Sequence, residues 1–194
     1  MTSKTFSHSE RIINLGRVKS ANGIYGELRV TCFGSMLSLL KEEDNVQLYE
    51  SEGAKDGFLI NPKYIVEYSV HNITNLRNNL LSVKLKEINT RKDAEDQKGR
   101  FFGLSLPEAK KKFVPHENDY YLFHLIDLQV KDQNSNDLEG HVERIEESAA
   151  QTWLLIRLKN IEKLVMAPLE SHFVLKIDFS KNLLFTQNLA DLIE

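Results

Sequence analysis

Residues 16–30 read Gly-Arg-Val-Lys-Ser-Ala-Asn-Gly-Ile-Tyr-Gly-Glu-Leu-Arg-Val, and this stretch predicts two strands joined by a tight loop over residues 22–26. After the loop, apolar and polar residues alternate: Leu28, Val30 and Cys32 against Glu27, Arg29 and Thr31. This alternation is typical of a strand with one buried and one solvated face. Gly23 and Gly26 indicate positive φ angles or a close approach of another backbone segment, because a Cβ would resist both.

The glycines of this hairpin do not fit a nucleotide-binding loop, because the pattern is not G-x-G-x-x-G and no helix pattern follows it. The stretch resembles the opening of the RimM family of bacterial ribosome maturation factors, G-(R/K)-(I/V)-x-x-x-H-G-(I/L)-x-G-E-(I/V/L)-x-V. Asn22 stands where that family usually has His.

The first hundred residues predict many short strands and little helix. In residues 80–88, for example, Leu81, Val83 and Leu85 are expected inward and Ser82, Lys84 and Lys86 outward. Strands at this density favour a barrel over a βαβ fold. The predicted strands are 12–20, 26–33, 45–50, 57–61, 63–69, 80–88 and 100–106.

Two short helices are predicted between these strands. Residues 35–43 would bury Leu37 and Leu40, and residues 90–93 have the spacing of a capping box that opens a helix closed by Gly99. Residues 90–99 also resemble a RimM stretch of the form D-R-x-x-A-E-x-(L/K)-x-G-x-x-(L/I), from which Thr90 departs at the first position.

A change of composition near residues 107–118 indicates a domain boundary. Two prolines, the lysines Lys110, Lys111 and Lys112 and a polar His-Glu-Asn run interrupt every apolar period, which is typical of an exposed connector. The three lysines are either solvated or in contact with RNA phosphate. We therefore predict an N-terminal domain over residues 8–106, a linker over 107–117 and a C-terminal domain over 118–194.

The C-terminal domain opens with Asp-Tyr-Tyr-Leu-Phe-His-Leu-Ile-Asp-Leu-Gln-Val over residues 119–130. This resembles the PRC barrel that forms the C-terminal half of RimM proteins, (D/E)-x-Y-Y-x-x-D-L-I-G-x-x-V, although His124 replaces the usual acid and Asp127 the usual glycine. Residues 131–140 predict a turn-rich connection. The predicted strands that follow are 141–147, 152–158, 163–168, 174–179 and 183–187.

The adjacent pair Tyr120 and Tyr121 has two interpretations. On a strand, neighbouring side chains point to opposite faces, so one ring would be buried and the other presented outward as an interface anchor. Alternatively, both rings begin a strand and pack against the linker. The resemblance favours the first interpretation, because in the RimM family this pair is implicated in docking to a basic protein of the small-subunit head, small-subunit protein nineteen.

Composition and charge restrict the classes of protein that fit. The net charge of −3 argues against nucleic-acid binding by bulk electrostatics, but residues 1–106 carry +2 and residues 118–194 carry −6. This asymmetry indicates either two bodies with different partners or chance. The absence of long apolar runs, of a signal-like segment in residues 1–11 and of any cysteine besides Cys32 predicts a cytoplasmic protein without membrane contact.

No motif for catalysis or metal binding is found in the sequence. The six histidines form no H-E-x-x-H or H-x-x-x-H pair, no G-x-S-x-G is present, and Cys32 lies on the predicted inward face of a strand. We therefore expect a protein that is not an enzyme and has no cofactor and no metal.

Three function classes compete for this sequence. The resemblance implies an all-β protein of two small β-barrels joined by a short linker, a monomer that binds the immature 30S subunit and promotes head maturation and 16S rRNA processing. An RNA-binding, translation-associated β-barrel module is the alternative, and an enzyme on a β-barrel scaffold is disfavoured by the missing motifs. The expected site residues are Tyr120 and Tyr121 for the ribosomal protein, and Arg17, Lys19, Asn22, Gly23, Gly26 and Arg29 for rRNA or the ribosome.

Overall fold

The computed structural model describes residues 11–50, 58–59, 62–116, 119–135, 138–159 and 164–193, and the chain divides into two compact units between Lys112 and Phe113. Both units are built almost entirely from β-strands, which confirms the all-β prediction. At the ends of the predicted domains, linker and strands, residues 8–10, 57, 60–61, 117–118, 163 and 194 lie outside the described ones.

Six strands of the first unit form a closed barrel in the order β2-β6-β5-β3-β7-β1, because β1 pairs with β2 as well as with β7. All of its pairings are antiparallel, and the two-residue β4 pairs with the start of β1. Closure gives each of the six strands a neighbour on both sides. The strands are β1 (Ile12–Asn22), β2 (Glu27–Cys32), β3 (Asn45–Glu50), β4 (Phe58–Leu59), β5 (Lys63–Arg77), β6 (Leu80–Leu85) and β7 (Phe101–Ser105).

The inward faces of these strands form the core of the first unit. Leu28, Val30 and Cys32 are buried as the alternation predicts, and so are Leu81, Val83 and Leu85 of β6. The predicted helix over residues 35–43 is a single 3₁₀ turn, Met36–Leu39, and it buries Leu37 and Leu40 as expected.

Strand β5 is longer than predicted, since it runs to Arg77 instead of ending at Ser69. Its second half is mostly exposed and polar, and it pairs with β6 from Val70 opposite Leu85 to Arg77 opposite Leu80. Backbone pairing therefore holds this half as a strand where the sequence shows no buried face.

The helix α1 (Arg91–Glu95) begins with the predicted capping box. The Thr90 hydroxyl accepts a bond from the Asp93 backbone N–H (3.2 Å), and the Asp93 carboxylate accepts one from the Thr90 N–H (3.2 Å). The turn after α1 ends at Gly99, with φ of 86°. Its N–H donates to the Val18 carbonyl (2.9 Å), and the Val18 N–H donates to the Arg100 carbonyl (2.9 Å), so this turn is attached to β1.

The first half of the predicted linker is a helix in the structure. Helix α2 (Leu106–Lys112) buries Leu106 and Ala109, and its last residue, Lys112, pairs with Asp44 at 2.6 Å. The division between the units at Lys112 and Phe113 falls inside the predicted linker. Lys112 is therefore neither a solvated lysine nor one available for RNA phosphate, because its own side chain and that of Asp44 are both largely buried.

The second unit contains a six-stranded sheet in the order β11-β10-β9-β8-β13-β12. Strands β8 and β13 are parallel and the other neighbours are antiparallel. Strand β8 was not predicted from the sequence. It spans the end of the opening segment 119–130 and the start of the predicted turn-rich connection 131–140. The strands are β8 (Gln129–Asp132), β9 (Glu139–Glu147), β10 (Thr152–Leu158), β11 (Leu164–Pro168), β12 (Val174–Asp178) and β13 (Leu183–Thr186), with 3₁₀ turns at Leu122–Leu125, Phe179–Lys181 and Leu189–Leu192.

We predict that limited proteolysis separates the two units. Thermolysin cleaves before exposed apolar residues, and Val114 is 66% exposed just after the division between the units. The first cut is expected before Val114, and each released piece should keep a cooperative thermal transition because each unit has its own core. Val114→Asp is the matched control and should delay this cut. First cuts within β2, β9 or β10, with neither piece folded, would contradict the two-unit architecture.

Candidate functional site

The loop between β1 and β2 is anchored at its start by Asn22. The Asn22 amide donates to the Ser82 hydroxyl (2.9 Å), and its carbonyl oxygen accepts from the Arg29 guanidinium (3.0 Å). Ser82 was predicted to face outward, but it is buried beneath this contact. A residue predicted to contact the ribosome thus also holds the hairpin together and orients the Arg29 side chain.

Both loop glycines adopt the conformation that the sequence indicates. Gly23 has φ of 79° and Gly26 has φ of 83°, and a Cβ on Gly26 would collide with the Ile88 carbonyl. Lys84 also fixes the loop, since its ammonium donates hydrogen bonds to the carbonyl of Tyr25 (2.8 Å) and to that of Ile88. The loop is therefore rigid at its base.

The tip of the loop presents two apolar side chains to solvent. Ile24 is 64% exposed and Tyr25 is 69% exposed, while the backbone that carries them is fixed by the contacts of Lys84. No sequence pattern singles out these two residues, because exposure at a loop tip depends on what the rest of the fold leaves uncovered.

The three predicted cations of the hairpin lie on its outer, exposed face. Arg17 donates from Nε to the Gly99 carbonyl (2.9 Å), and its guanidinium carbon lies 5.2 Å from the centre of the Phe101 ring. Lys19 is exposed at a register shift between β1 and β2, and Arg29 is held by Asn22. The structure thus places all three at the surface, with Arg17 fixed by the turn after α1.

A groove of about 500 Å³ runs beside this face, and we call it the basic groove. The cations at its edge are Arg17, Lys19 and Lys98, and none of the described residues that line it is a carboxylate. Lys98 was not predicted; it enters the site because the turn that carries it is bonded to β1 through Gly99 and Val18. The lining residues are Arg17, Val18, Lys19, Thr31, Phe33, Lys98, Gly99 and Phe101.

A second, more polar cleft of about 360 Å³ lies on the other side of the loop. Its His71 contacts Glu42 (3.1 Å), and its Lys84 holds the loop, so both side chains have structural partners. Over the described ranges, no three His, Cys, Asp or Glu residues are grouped to hold a metal ion. The full lining is Asn22, Tyr25, Glu27, His71, Asn72, Thr74, Ser82 and Lys84.

The tyrosine pair of the second unit does not lie on a strand, which both interpretations assumed, so the prediction of opposite strand faces is wrong. The packing against the predicted linker is observed for Tyr121, whose ring meets that of Phe113 edge-on at 5.6 Å. Both residues are in the irregular segment just before the 3₁₀ turn Leu122–Leu125, and both are half-buried. The Tyr120 ring lies 5.2 Å from that of Phe179, and the Tyr121 ring stacks on Phe123 at 5.4 Å with an angle of 8°. Partial burial raises the pKa of the Tyr120 hydroxyl.

His124 positions this pair from within the fold. It is 4% exposed, and its Nδ1 accepts a hydrogen bond from the Tyr121 backbone N–H (3.0 Å). Its Nε2 faces the Phe113 carbonyl, so the proton of the neutral ring lies on Nε2 and is donated there. His124 stands where the PRC pattern has an acid, and in this chain it is the acceptor for the Tyr121 N–H.

Asp127, which stands where the PRC pattern has glycine, has a left-handed backbone conformation. Its φ is 65°, and its N–H donates to the Val142 carbonyl at 2.8 Å. Asp is among the non-glycine residues that adopt this left-handed conformation most readily. Asp127 thus occupies a conformation that glycine would also adopt.

Cys32 is buried, and the helices of the described segments are short. Cys32 is buried in β2, and burial raises the pKa of its thiol, which disfavours the reactive thiolate. In the part of the chain that the structure describes, no helix is long and apolar enough to span a bilayer.

Comparison with known proteins identifies relatives of this chain. Residues 13–105 match the family model of the RimM N-terminal domain. The chain is 26% identical over 179 residues to the ribosome maturation factor RimM of Thermoanaerobacter sp. (strain X514), covering 92% of this chain and 97% of the relative. It is 26% identical over 137 residues to the protein of the same name from Flavobacterium johnsoniae, covering 71% and 74%.

A solved structure is also similar. The crystal structure of a 16S ribosomal RNA processing protein RimM from Pseudomonas aeruginosa is 21% identical, with coverage of 93% of this chain and 99% of that chain. The TM-score is 0.39.

The two loop glycines allow a matched test of the hairpin geometry. Gly26→Ala should lower the free energy of unfolding by about 1–3 kcal/mol or more, because a Cβ adds a collision with Ile88 to the cost of a positive φ. Gly23→Ala has the same φ cost but meets only the Glu27 carboxylate at 3.4 Å, so the loss should be smaller. Urea unfolding of both variants measures the difference. Equal losses would show that the close approach of Ile88 contributes nothing.

Proposed function

Because the chain belongs to the RimM family of ribosome maturation factors, we propose that it binds the immature small ribosomal subunit and promotes maturation of its head and processing of 16S rRNA. A role in ribosome maturation follows from the family itself. Binding of the small subunit and maturation of its head are the finer part of the proposal. The observation that supports them is the alignment with a RimM protein over 92% of the chain, which includes both units.

We assign the contact with a ribosomal protein to Tyr120 and Tyr121. The Tyr120 ring packs on Phe179, the Tyr121 ring packs on Phe123 and edge-on against Phe113, and both tyrosines remain partly open to solvent. A ring that is fixed before binding loses little conformational freedom when it is covered, and its hydroxyl can still donate a hydrogen bond. These properties suit an interface anchor.

Charge complementarity supports a basic partner such as small-subunit protein nineteen. Residues 118–194 carry a net charge of −6. Part of this charge is engaged within the unit: a hydrogen bond from Lys159 lowers the pKa of Glu139, and one from Arg157 lowers that of Glu143. The excess of carboxylates would attract a basic surface and speed its association.

The first unit is the part that we expect to face rRNA. Arg17, Lys19 and Arg29 lie together on the outer face of the hairpin, and Asn22, Gly23 and Gly26 set the shape of the loop between its strands. Exposed cations on a rigid hairpin are suited to phosphate contacts. The alternative, an RNA-binding translation-associated module, would use the same face, but it would not co-sediment selectively with free small subunits and be absent from translating ribosomes.

The remaining parts of the proposal concern chemistry and location. We propose a non-catalytic, monomeric protein that acts in the cytoplasm without cofactor or metal, and whose second unit is a PRC barrel. The buried Cys32 and the engaged carboxylates of the second unit support a binding role.

The tyrosine assignment predicts a loss of subunit binding. Tyr120→Ala combined with Tyr121→Ala should weaken co-sedimentation with free small subunits by about 2 kcal/mol, roughly thirtyfold, because interface anchors contribute that much on truncation. Immature rRNA should accumulate in cells that carry the variant, and single variants show whether one ring or both act.

Ile156→Val is the control for the tyrosine variants. Ile156 is buried in β10 and makes no ring contact with the tyrosines, so its replacement should lower the melting temperature while the folded protein still binds. Wild-type binding by the double variant, or an equal loss of binding with Ile156→Val, would overturn the assignment.

The cation assignment predicts a change in salt dependence. Replacing Arg17, Lys19 and Arg29 together by Gln should weaken binding to the subunit and flatten its dependence on salt, by about 0.7–0.9 in logarithmic slope for each phosphate that is no longer neutralised. The matched control replaces Lys41 and Lys176, two exposed lysines that are not part of the hairpin, and should leave the slope unchanged. An unchanged affinity and slope in the triple variant would remove the hairpin from the RNA interface.

A further inference from the structure

The basic groove combines two features that phosphate contact alone does not require. One is the concentration of Arg17, Lys19 and Lys98 around a concave surface whose described lining holds no carboxylate. The other is Phe33, whose ring is 37% exposed inside this lining. An exposed aromatic ring beside a set of cations fits a ligand that is both anionic and flat.

The charges of the groove are available to a ligand. Lys19 and Lys98 make no ion pair with any residue that the structure describes, and both are exposed. Arg17 uses its Nε for the Gly99 carbonyl and lies over Phe101, which fixes the direction of the guanidinium while four further N–H donors remain for other partners. The groove therefore offers one oriented cation and two exposed cations that are not engaged in ion pairs with the described residues.

Phe33 is held in place by its own surroundings. Its backbone N–H donates to the Leu15 carbonyl at 3.0 Å, and its ring lies 6.5 Å from that of Phe101, tilted by 46°. Phe101 is covered on one face by Arg17, so Phe33 is the ring of this pair that remains open. A fixed and open ring is a platform on which a base can stack.

We propose that the basic groove binds an unpaired nucleotide of RNA, with its base stacked on Phe33 and the adjoining phosphates bound by Arg17, Lys19 and Lys98. The groove volume of about 500 Å³ lies in the range of small-ligand sites. This inference rests on the proposed function and narrows it, because it makes single-stranded rRNA, and not a duplex, the nucleic-acid partner of the first unit.

The preference for a single strand follows from the geometry of stacking. In a duplex the faces of the bases are covered by their neighbours, so a duplex offers the groove its phosphates but leaves Phe33 without a partner. A single strand presents both. Phe33 therefore distinguishes a nucleotide site from a general phosphate-binding surface.

The test is fluorescence anisotropy with the full chain and a labelled single-stranded RNA of about ten nucleotides, within the range of known site sizes. A blunt duplex of the same length is measured in parallel. Wild type should bind the single strand more tightly than the duplex. Phe33→Leu should weaken single-strand binding about five- to a hundredfold without changing its salt slope, and Phe33→Trp should retain binding. Lys98→Gln should reduce the slope by about 0.7.

Matched controls separate the site from the general surface of the protein. Tyr64→Leu removes an exposed aromatic ring outside the groove, and Lys41→Gln removes an exposed charge. Both should bind the single strand as wild type does, and thermal unfolding checks that every variant is folded.

Three results would overturn the nucleotide site: no measurable binding by wild type, equal binding of duplex and single strand, or wild-type affinity of folded Phe33→Leu. The assay contains no ribosome, so these results leave the co-sedimentation of wild type and of the tyrosine variants unaffected. Failure of the nucleotide site is thereby distinguished from failure of the proposed function.

Discussion

The pairing of β1 on both of its edges is the constraint on which the first unit depends. This strand bonds to β2 along one edge and to β7 along the other, and two register shifts, between Asn14 and Gly16 and between Val18 and Ser20, allow it to bend around the barrel. Gly16 lies at the first shift, where a Cβ would collide with the Thr31 carbonyl. Closure, the buried core and the outward direction of the hairpin cations all follow from this one strand.

The second unit relies on a different device, a buried histidine between two backbone segments. His124 connects the Tyr121 N–H to the Phe113 carbonyl, and the rings of all three residues belong to one aromatic cluster. Burying a ring with two polar nitrogens is tolerable because both nitrogens are bonded. The tyrosine pair is therefore oriented by its supporting residues and does not depend on a strand for its direction.

The two units present surfaces of different physical character. The first offers a rigid hairpin and a groove with cations and an open ring, and the second offers half-buried tyrosines on a body with an excess of carboxylates. A polyanion and a basic protein are the complementary partners of such surfaces. An immature ribosomal subunit, the partner proposed above, contains both.

The sequence by itself determined those features that depend only on residues close together in the chain. The alternation of β2, the strands Asn45–Glu50 and Thr152–Leu158, the capping box at Thr90 and the positive φ of Gly23 and Gly26 all follow from local periodicity and steric limits. Only the tertiary structure decided that Lys98 joins Arg17 and Phe33, that β8 pairs in parallel with β13, and that Tyr120 packs on Phe179. These partners are far apart in the chain, and no local pattern records an interaction whose energy is gained only when distant segments meet.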